Sequence, residues 1–389
     1  METIGSKINQ ITCGSITMIK VLIVDDSKSM RIGLQKLLSD HRPEIDVIGT
    51  ARHGIEALEF LHEHNNAVDV VLLDFFMPKM DGLETLKKIM ELYSIPTIMI
   101  SSADQTENAD LYFKAIKMGA VDSITKPSGI ESLYVDQIEE LLVKKIKSAF
   151  ESRKKIQKIG NDDSIKAILS PTIVTRKKFD PILIEAIKHH PLGSNLLTNF
   201  RKVILLGAST GGPSKIIDII QNLRFSPYVA IIIIQHMPAG FTNYFAQRLN
   251  NLSEYPIHEA MNGERLCAGT MCVAPGDQHL KLRIEGQEIY IETNQEPRIW
   301  GVRPCIDYVM ISAAQLFKEK CVGIVLTGMG RDGAYGIQIV KQYGGLTIAQ
   351  NTEEALIDSM PKEAIKTGDV EHVMKVQDII KFLNNNVIT

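Results

Sequence analysis

Short aliphatic runs alternate with helical patterns along most of the chain, and this alternation limits the possible folds more than any other feature. In the first half the runs end at Val24, Gly49, Leu73, Ile100 and Thr125. Strands that are apolar along their whole length are typical of a parallel sheet covered by helices on both faces. Five strand–helix units predict a compact, flavodoxin-like α/β domain with a five-stranded parallel sheet.

The alternation resumes after Arg201 and predicts a second, doubly wound α/β domain. Its aliphatic runs include "KVILLG", "YVAIIIIQ" and "CVGIVLTG", with helical patterns between most of them. The segment "RIEGQEIYI" alternates on either side of a glycine and is expected to form a small antiparallel element. Between the two halves the chain mixes basic, Pro-containing and Gly-containing stretches, which indicates a linker.

These patterns divide the 389 residues into four parts. We expect a loose extension at residues 1–18, a first domain at 19–142, a linker at 143–200 and a second domain at 201–389. The length agrees with about two to three domains, because domains commonly have about 100–200 residues.

Composition excludes several classes of protein. The net charge is −3, without the basic excess of most nucleic-acid-binding domains. The longest aliphatic run, Val229–Ile234, is too short to cross a bilayer, and the N-terminus lacks the apolar core of a signal peptide. The five cysteines are odd in number and contain no C-x-x-C pair, which favours a reducing compartment. We therefore expect a cytoplasmic protein that neither binds nucleic acid nor inserts into a membrane.

Polar side chains follow the predicted strands of the first domain. These residues are Asp25, Asp26, Asp74, Ser101 and Lys126. Each alone is compatible with a helix cap, a turn or a solvated strand end, but the carboxyl ends of parallel strands meet at one crevice. Three carboxylates there would repel one another without a cation, and hard oxygen ligands suit Mg²⁺.

The segments that carry these residues resemble the receiver domain of two-component response regulators. They are "VLIVDDS", "LLDFFMPKMDGLE", "MISS" and "VDSITKP", and the resemblance extends over residues 18–142. It implies that Asp74 is the phosphorylated carboxylate and that Asp25 and Asp26 bind Mg²⁺ together with it.

The same resemblance implies the remaining contacts. The backbone carbonyl of Phe76 completes the metal site, Ser101 contacts the phosphoryl group and Lys126 pairs with it. The chain departs from the family pattern at Ser123, three residues before the lysine, where an aromatic switch residue is common. Phe76 is also bulky and apolar where polar residues are common, although its implied role uses only the carbonyl.

The stretch Val203–Lys215, "VILLGASTGGPSK", admits three interpretations. A phosphate-binding loop lacks its lysine, because Pro213 occupies that position. A dinucleotide-binding fingerprint lacks its second glycine, because Ser209 stands there. The pattern G-x-S-x-G at 207–211 matches a sharp turn that presents a serine nucleophile, and a serine that caps the following helix is the alternative.

A serine nucleophile needs a base and a group that orients the base. His236 follows "VAIIIIQ" and Asp332 follows "VGIVLTGMGR", so each lies just past an apolar strand, as Ser209 does. A parallel sheet would bring the three side chains together, which predicts a triad. His279, in "APGDQH", is the second candidate for the base. The alternatives are a hydrogen-bonded turn histidine for His236 and a helix cap for Asp332.

The order Ser…His…Asp differs from the Ser…Asp…His order of α/β-hydrolases, which argues against that fold. The segments "GASTGGP", "IIIIQHMPAGFT", "VAPGDQH" and "LTGMGRDGAYG" closely resemble the catalytic domain of chemotaxis protein-glutamate methylesterases, from about residue 202 to the C-terminus. The resemblance implies a Ser209–His236–Asp332 triad, the Met329 backbone N–H as an oxyanion donor, and no cofactor for ester hydrolysis.

Together the two resemblances imply a phosphorylation-regulated serine hydrolase. Its substrates would be glutamate γ-methyl esters, and glutamines for deamidation, on the cytoplasmic helices of methyl-accepting chemoreceptors. A chemotaxis histidine kinase would be the phosphodonor, and the unphosphorylated receiver would cover the Ser209 turn. One alternative is a receiver linked to a non-catalytic binding module, which would have no need of the three triad residues. The other is a nucleotide-binding second domain, which Pro213 disfavours.

Overall fold

The computed structural model of the chain describes residues 18–64, 67–101, 108–126, 132–159 and 200–388. The predicted N-terminal extension, apart from Met18, lies outside these ranges. So does the predicted linker from residue 160 to residue 199.

The first half forms a five-stranded parallel sheet with the strand order β2-β1-β3-β4-β5, which confirms the predicted flavodoxin-like fold. The strands are β1 Ile19–Val24, β2 Ile45–Ala51, β3 Val70–Asp74, β4 Thr97–Ser101 and β5 Asp122–Thr125. The helices are α1 Lys28–Ser39, α2 Gly54–His64, α3 Gly82–Leu92, α4 Asn108–Lys117 and α5 Ser132–Ile159. The strand order reverses between β1 and β3, so the crevice at their carboxyl ends is the expected ligand site.

Both faces of this sheet are buried, which explains the continuous apolar strands. Along β1, Val21 and Ile23 pack in one cluster, while Leu22 and Val24 pack in the cluster on the opposite face. Helix α5 continues beyond residue 142, and its Ile146 packs in the first of these clusters. The end of the first domain at residue 142 therefore stays a prediction.

The second half forms a seven-stranded sheet with the order β14-β13-β12-β6-β7-β9-β8, in which every neighbouring pair is parallel. The strands are β6 Lys202–Ala208, β7 Val229–Gln235, β8 Ile257–Glu259, β9 Met271–Val273, β12 Cys321–Val325, β13 Leu346–Gln350 and β14 His372–Met374. The helices are α6 Gly212–Ile220, α7 Phe241–Asn250, α8 Ile306–Phe317, α9 Ala334–Gln342, α10 Ser359–Lys366 and α11 Val376–Phe382. This arrangement confirms the doubly wound α/β fold.

The predicted antiparallel element is also confirmed. It is the hairpin of β10 His279–Glu285 and β11 Glu288–Asn294, which lies outside the parallel sheet. Among the described residues, no helix is long and apolar enough to span a membrane.

Strand β6 is the first strand of the second sheet, and the chain winds away from it in both directions. Its neighbours are β7 on one side and β12 on the other. A crevice forms at the carboxyl ends of the strands where the winding direction changes, because the connections on the two sides diverge there. The predicted residues Ser209, His236 and Asp332 follow these three strands.

The two domains meet through aromatic side chains of helices α4 and α7. Tyr112 and Phe113 belong to the same buried cluster as Phe241 and Phe245. The ring centroids of Phe113 and Phe245 are 5.4 Å apart, and those of Tyr112 and Phe241 are 5.7 Å apart. Each aromatic pair of this kind stabilises a contact by about 0.5–1.5 kcal/mol beyond its buried area.

Candidate active site and acidic site

The turn between β6 and α6 holds Ser209 by its backbone. The Ser209 N–H donates to the Thr327 carbonyl at 3.0 Å, and the Ser209 carbonyl accepts from Gln235 Nε2 at 3.0 Å. Gly211, with φ of 77°, precedes α6 as its N-cap, and among the described residues no side-chain hydrogen bond caps this helix end. The helix-cap interpretation of Ser209 is therefore wrong, and its half-buried side chain is available for chemistry.

A second glycine-rich turn, after β12, lies against Ser209. A Cβ added to Gly328 would lie 2.7 Å from the Ser209 Cβ, so only glycine permits this approach. The N–H groups of Gly328 and Gly330 donate to protein acceptors. Among the described residues, the Met329 N–H between them donates to no protein acceptor. A free N–H near a serine suits the stabilisation of a developing oxyanion.

His236 is held in one orientation by Asp332. Its Nε2 lies 2.9 Å from Asp332 Oδ2, while its Nδ1 is buried and has no hydrogen-bond partner in the described part of the chain. A neutral imidazole that donates from Nε2 keeps a lone pair on Nδ1 and can accept a proton there. No hydrogen bond joins Ser209 Oγ to His236 among these residues, and catalytic hydrogen bonds often tighten only when substrate binds.

Asp332 is almost fully buried at the N-terminus of helix α8. Its carboxylate accepts from the N–H groups of Ile306 at 2.7 Å and Asp307 at 2.9 Å, and from Cys305 Sγ at 3.1 Å. Burial raises the pKa of Asp332, but the hydrogen bond and charge of His236, with these N–H donors, outweigh it and lower the pKa below its ordinary value. Asp332 therefore stays ionised and holds the imidazole of His236 at Nε2.

His279, the second candidate for the base, has different contacts. Its side chain is fully buried, and its Nε2 donates to the Pro297 carbonyl at 3.1 Å. Burial lowers the pKa of His279 below its ordinary value. Neither nitrogen is bonded to a carboxylate in the described residues, so no group orients His279 as Asp332 orients His236.

Sequence reasoning missed the residues that fix the Ser209 turn. Gln235 ends β7, and its Nε2 reaches the carbonyls of both Ser209 and His236. Thr327 Oγ1 donates to the Thr210 carbonyl at 3.1 Å and also accepts from the Ile357 N–H at 2.9 Å. The available signal was the abrupt appearance of a polar residue at the end of an apolar strand.

The first domain gathers its predicted acidic residues at the carboxyl edge of the sheet. Carboxylate oxygens of Asp25, Asp26 and Asp74 all lie within 4.8 Å of one another. Lys126 Nζ is 2.8 Å from Asp74 Oδ2 and 2.9 Å from Asp25 Oδ2. The Ser101 Oγ is buried beside this edge, without a hydrogen-bond partner among the described residues.

Charge and burial at this edge fit a divalent cation. One lysine faces three carboxylates, so the cluster keeps a negative charge and oxygen ligands of the kind that Mg²⁺ prefers. Burial, together with the charge of Asp25, raises the pKa of Asp74 overall, although Lys126 lowers it. Burial lowers the pKa of Lys126, but its hydrogen bond to Asp74 and its ion pair with Asp25 raise the pKa overall. A second cation would relieve the repulsion between the carboxylates.

Two residues that depart from the receiver pattern lie close to this edge. The Phe76 side chain is 54% exposed, so it does not fill the acidic site. Ser123 is half-buried in β5, and its N–H donates to Asp122 Oδ1 at 2.7 Å.

The fold and the two sites define a class of protein: a response-regulator receiver joined to an α/β domain with the layout of a serine hydrolase. Comparison with known sequences supports the assignment of both domains. The sequence profile of the response regulator receiver domain matches residues 21–137, and that of the CheB methylesterase matches residues 204–383.

Relatives match the chain over most of its length. The protein-glutamate methylesterase/protein-glutamine glutaminase of Pyrococcus horikoshii is 39% identical over 361 residues, covering 93% of this chain and 91% of the relative. A protein of the same name from Thermotoga maritima is 35% identical, covering 93% of this chain and 96% of the relative. The solved CheB methylesterase catalytic domain of Thermotoga maritima is 38% identical, covers 47% of this chain and 96% of its own, and has a TM-score of 0.45. The chain belongs to the protein-glutamate methylesterase family.

Proposed function

We propose that this chain hydrolyses glutamate γ-methyl esters and deamidates glutamines on the cytoplasmic helices of methyl-accepting chemoreceptors. The observation that carries the proposal is the buried pair of Asp332 and His236. The Nδ1 of His236 has no partner among the described residues, and the His236 N–H donates to the carbonyl of Ala208, the residue before Ser209. Family membership supports it, since the relatives are named for both reactions.

In the proposed mechanism Ser209 is the nucleophile. Its Oγ attacks the ester carbonyl while His236 Nδ1 takes its proton, and Asp332 stabilises the resulting imidazolium. His236 then donates that proton to the departing methoxide, and methanol leaves a glutamyl ester on Ser209. Water, deprotonated by the same Nδ1, releases the free glutamate and restores the serine. With a glutamine substrate the first leaving group is ammonia.

The tetrahedral intermediates of both steps carry a negative oxygen. The Met329 N–H is the proposed donor, because its neighbours on either side are already engaged and the turn lies against Ser209. Loss of one such donor lowers kcat about 10²–10³-fold in other serine hydrolases. A bound tetrahedral analogue would show whether its oxygen accepts from this N–H.

Methanol release separates this proposal from a non-catalytic binding module. The full chain, phosphorylated with a small phosphodonor, is incubated with a methylated cytoplasmic fragment of a chemoreceptor. We expect methanol release at a rate proportional to the concentration of the chain. Tight binding to the receptor fragment without methanol release would instead support the binding module.

The acidic edge of the first domain is the proposed phosphoacceptor site, with a chemotaxis histidine kinase as the phosphodonor. Asp25, Asp26 and Asp74, together with the Phe76 carbonyl, would hold Mg²⁺. When bound, the ion neutralises negative charge on the transferring phosphoryl group. Lys126 and Ser101 would engage that group once it is on Asp74. The 2.8 Å distance from Lys126 Nζ to Asp74 Oδ2 and the unpartnered Ser101 Oγ support these roles.

Contacts between the domains support control of the active site by the receiver. Thr210, the residue after Ser209, donates from Oγ1 to Asp122 Oδ2 at 2.6 Å, and both side chains are buried. Lys145 Nζ of α5 lies 2.6 Å from the same oxygen. Leu356 packs against the core of the first domain and also contacts Gly211 of the Ser209 turn. In the unphosphorylated chain the receiver therefore restricts access of receptor helices to Ser209.

Asp122→Ala should raise the methylesterase rate of the unphosphorylated full chain about tenfold. A hydrogen bond to a charged group stabilises the closed state by about 1.5–3 kcal/mol, and every 1.4 kcal/mol is about a tenfold shift between closed and open states.

Asp74→Asn should hold the full chain at its low rate with or without phosphodonor. A fragment that begins at residue 200 should be active without phosphodonor.

Asp46→Ala is the matched control, because Asp46 lies on β2 at the opposite edge of the receiver sheet. Its basal and phosphorylated rates should equal those of the unchanged chain. If Asp122→Ala and the fragment are no faster than the unphosphorylated chain, the receiver does not restrict the site, and the triad proposal is unaffected.

A further inference from the structure

Two buried carboxylates, Asp307 and Asp332, cap two neighbouring helices reciprocally. Asp307 belongs to α8 and caps the start of α9, whereas Asp332 precedes α9 and caps the start of α8. Asp307 lies in the first turn of α8, and its Oδ1 accepts from the N–H groups of Gly333 at 2.9 Å and Gly336 at 2.7 Å, at the start of α9. Asp332 lies just before α9 and accepts from the N–H groups of Ile306 and Asp307 at the start of α8. The N-terminal dipoles of both helices favour these charges.

The mechanism above gives Asp307 no role, yet its burial is unfavourable. Its side chain is 4% exposed, and no lysine, arginine or histidine pairs with it among the described residues. The pKa of Asp307 is raised to about 6, mainly by burial and to a smaller extent by the charge of Asp332. Burying a carboxylate without a cation costs stability, which its hydrogen bonds only partly offset, so the retention of Asp307 in this place calls for another reason.

The other oxygen of Asp307, Oδ2, accepts a hydrogen bond from a residue that is partly exposed at the protein surface. Trp300 Nε1 donates to Asp307 Oδ2 at 2.8 Å, while the indole ring is 46% exposed. The guanidinium carbon of Arg331 lies 4.4 Å from the centroid of that ring. Arg331 directly precedes Asp332, so both ends of the loop that carries Asp332 are tied to Asp307.

A metal site is a different interpretation of the same cluster, because ligand atoms of Cys305, Asp307 and Asp332 lie within 4.8 Å of one another. However, the Asp332 oxygens already accept from three backbone N–H groups, the Cys305 thiol and His236. Asp307 accepts from two N–H groups and an indole. The lone pairs that would coordinate a metal are in use, so the contacts favour a positioning network.

We propose that Asp307 is a positioning residue for the triad: it holds the 331–336 turn so that Asp332 meets His236 Nε2, and Trp300 holds Asp307 in turn. This inference rests on the proposed function. A triad member displaced by about 1 Å can lose about a hundredfold in rate, because the reacting groups are no longer aligned. Asp307 reaches the substrate only through Asp332, so its effect belongs to kcat rather than to substrate binding.

The test measures kcat and KM of the phosphorylated full chain with a methylated receptor fragment. Asp307→Asn has the same size, but its NH2 group must face either the glycine N–H groups or the Trp300 indole N–H. We expect kcat to fall about 10- to 100-fold with little change in KM. Trp300→Phe removes one donor and keeps an aromatic ring for Arg331, so it should cause a smaller fall in kcat.

Ser312→Ala is the matched control on the same helix. Ser312 Oγ accepts from the Leu282 N–H at 3.1 Å, so its loss weakens the packing of α8 without touching the 331–336 turn. It should lower the melting temperature and leave kcat unchanged. Trp300 is the only tryptophan in the chain, so its fluorescence reports on this site. The emission should change in Asp307→Asn and not in Ser312→Ala.

A double-mutant cycle with Asp332→Asn decides between positioning and general destabilisation. If Asp307 acts through Asp332, Asp307→Asn should lower kcat little further in the Asp332→Asn background. Equal losses in both backgrounds, or full activity of Asp307→Asn, would overturn the inference. If Asp307→Asn does not fold, Trp300→Phe is put through the same cycle with the same criteria. Should Ser209→Ala keep normal activity, the proposed function itself fails. An inactive Ser209→Ala with a fully active Asp307→Asn removes only this inference.

Discussion

Ser209→Ala should reduce kcat for methanol release about 10⁶-fold, the loss seen when a serine hydrolase loses its nucleophile. The loss is this large because no other group can form the covalent ester. The variant should still be about 10³–10⁴-fold faster than the uncatalysed reaction in water, because substrate binding and oxyanion stabilisation remain. Folding should be unaffected, since the Ser209 backbone makes the hydrogen bonds that hold the turn. The rate is measured by methanol release and the folding by thermal melting.

Ser214→Ala provides the control from the same turn. Ser214 Oγ donates to the Gly211 carbonyl at 3.2 Å, in the first turn of α6, and takes no part in the proposed chemistry. Its replacement should leave kcat unchanged. If Ser209→Ala releases methanol at the normal rate, Ser209 is not the nucleophile.

The sequence predicted both sheets because nearly every strand residue on either face is apolar. In β7, all residues from Val229 to Gln235 are buried, and the aliphatic run stops one residue before the strand does. The same regularity predicted where Ser209, His236 and Asp332 lie, since each follows such a strand and parallel strands end at one edge. Strands β8 and β14 have only three residues each, which is too short for a periodic pattern.

The parts of the site that sequence could not predict depend on tertiary packing. Asp307 is the only charged residue of helix α8, and nothing local shows that its carboxylate meets the start of α9. Trp300 has a φ of 55°, a conformation that few residues other than glycine adopt and that no pattern marks. Thr210 and Asp122 are 88 positions apart in different domains, so only the assembled chain brings them together.

His236→Ala should lower kcat about as much as Ser209→Ala, roughly 10⁶-fold, because nucleophile and base act as one unit. The structure gives the reason at the level of atoms. Asp332 occupies Nε2, so the bare Nδ1 is the nitrogen that can take the serine proton. The double variant Ser209→Ala/His236→Ala should therefore be no slower than either single variant. If the two losses multiply, the residues act independently and the proposed proton transfer between them is wrong.

His279→Gln tests the competing base by the same assay. A glutamine amide can still donate to the Pro297 carbonyl, so the variant should fold, which thermal melting checks. We expect it to keep most of its kcat, because no carboxylate is hydrogen-bonded to His279 in the described residues and burial lowers its pKa. A loss near 10⁶-fold in His279→Gln, with His236→Ala still active, would transfer the role of base to His279. Asp332 would then have to orient a histidine to which it makes no hydrogen bond among the described residues.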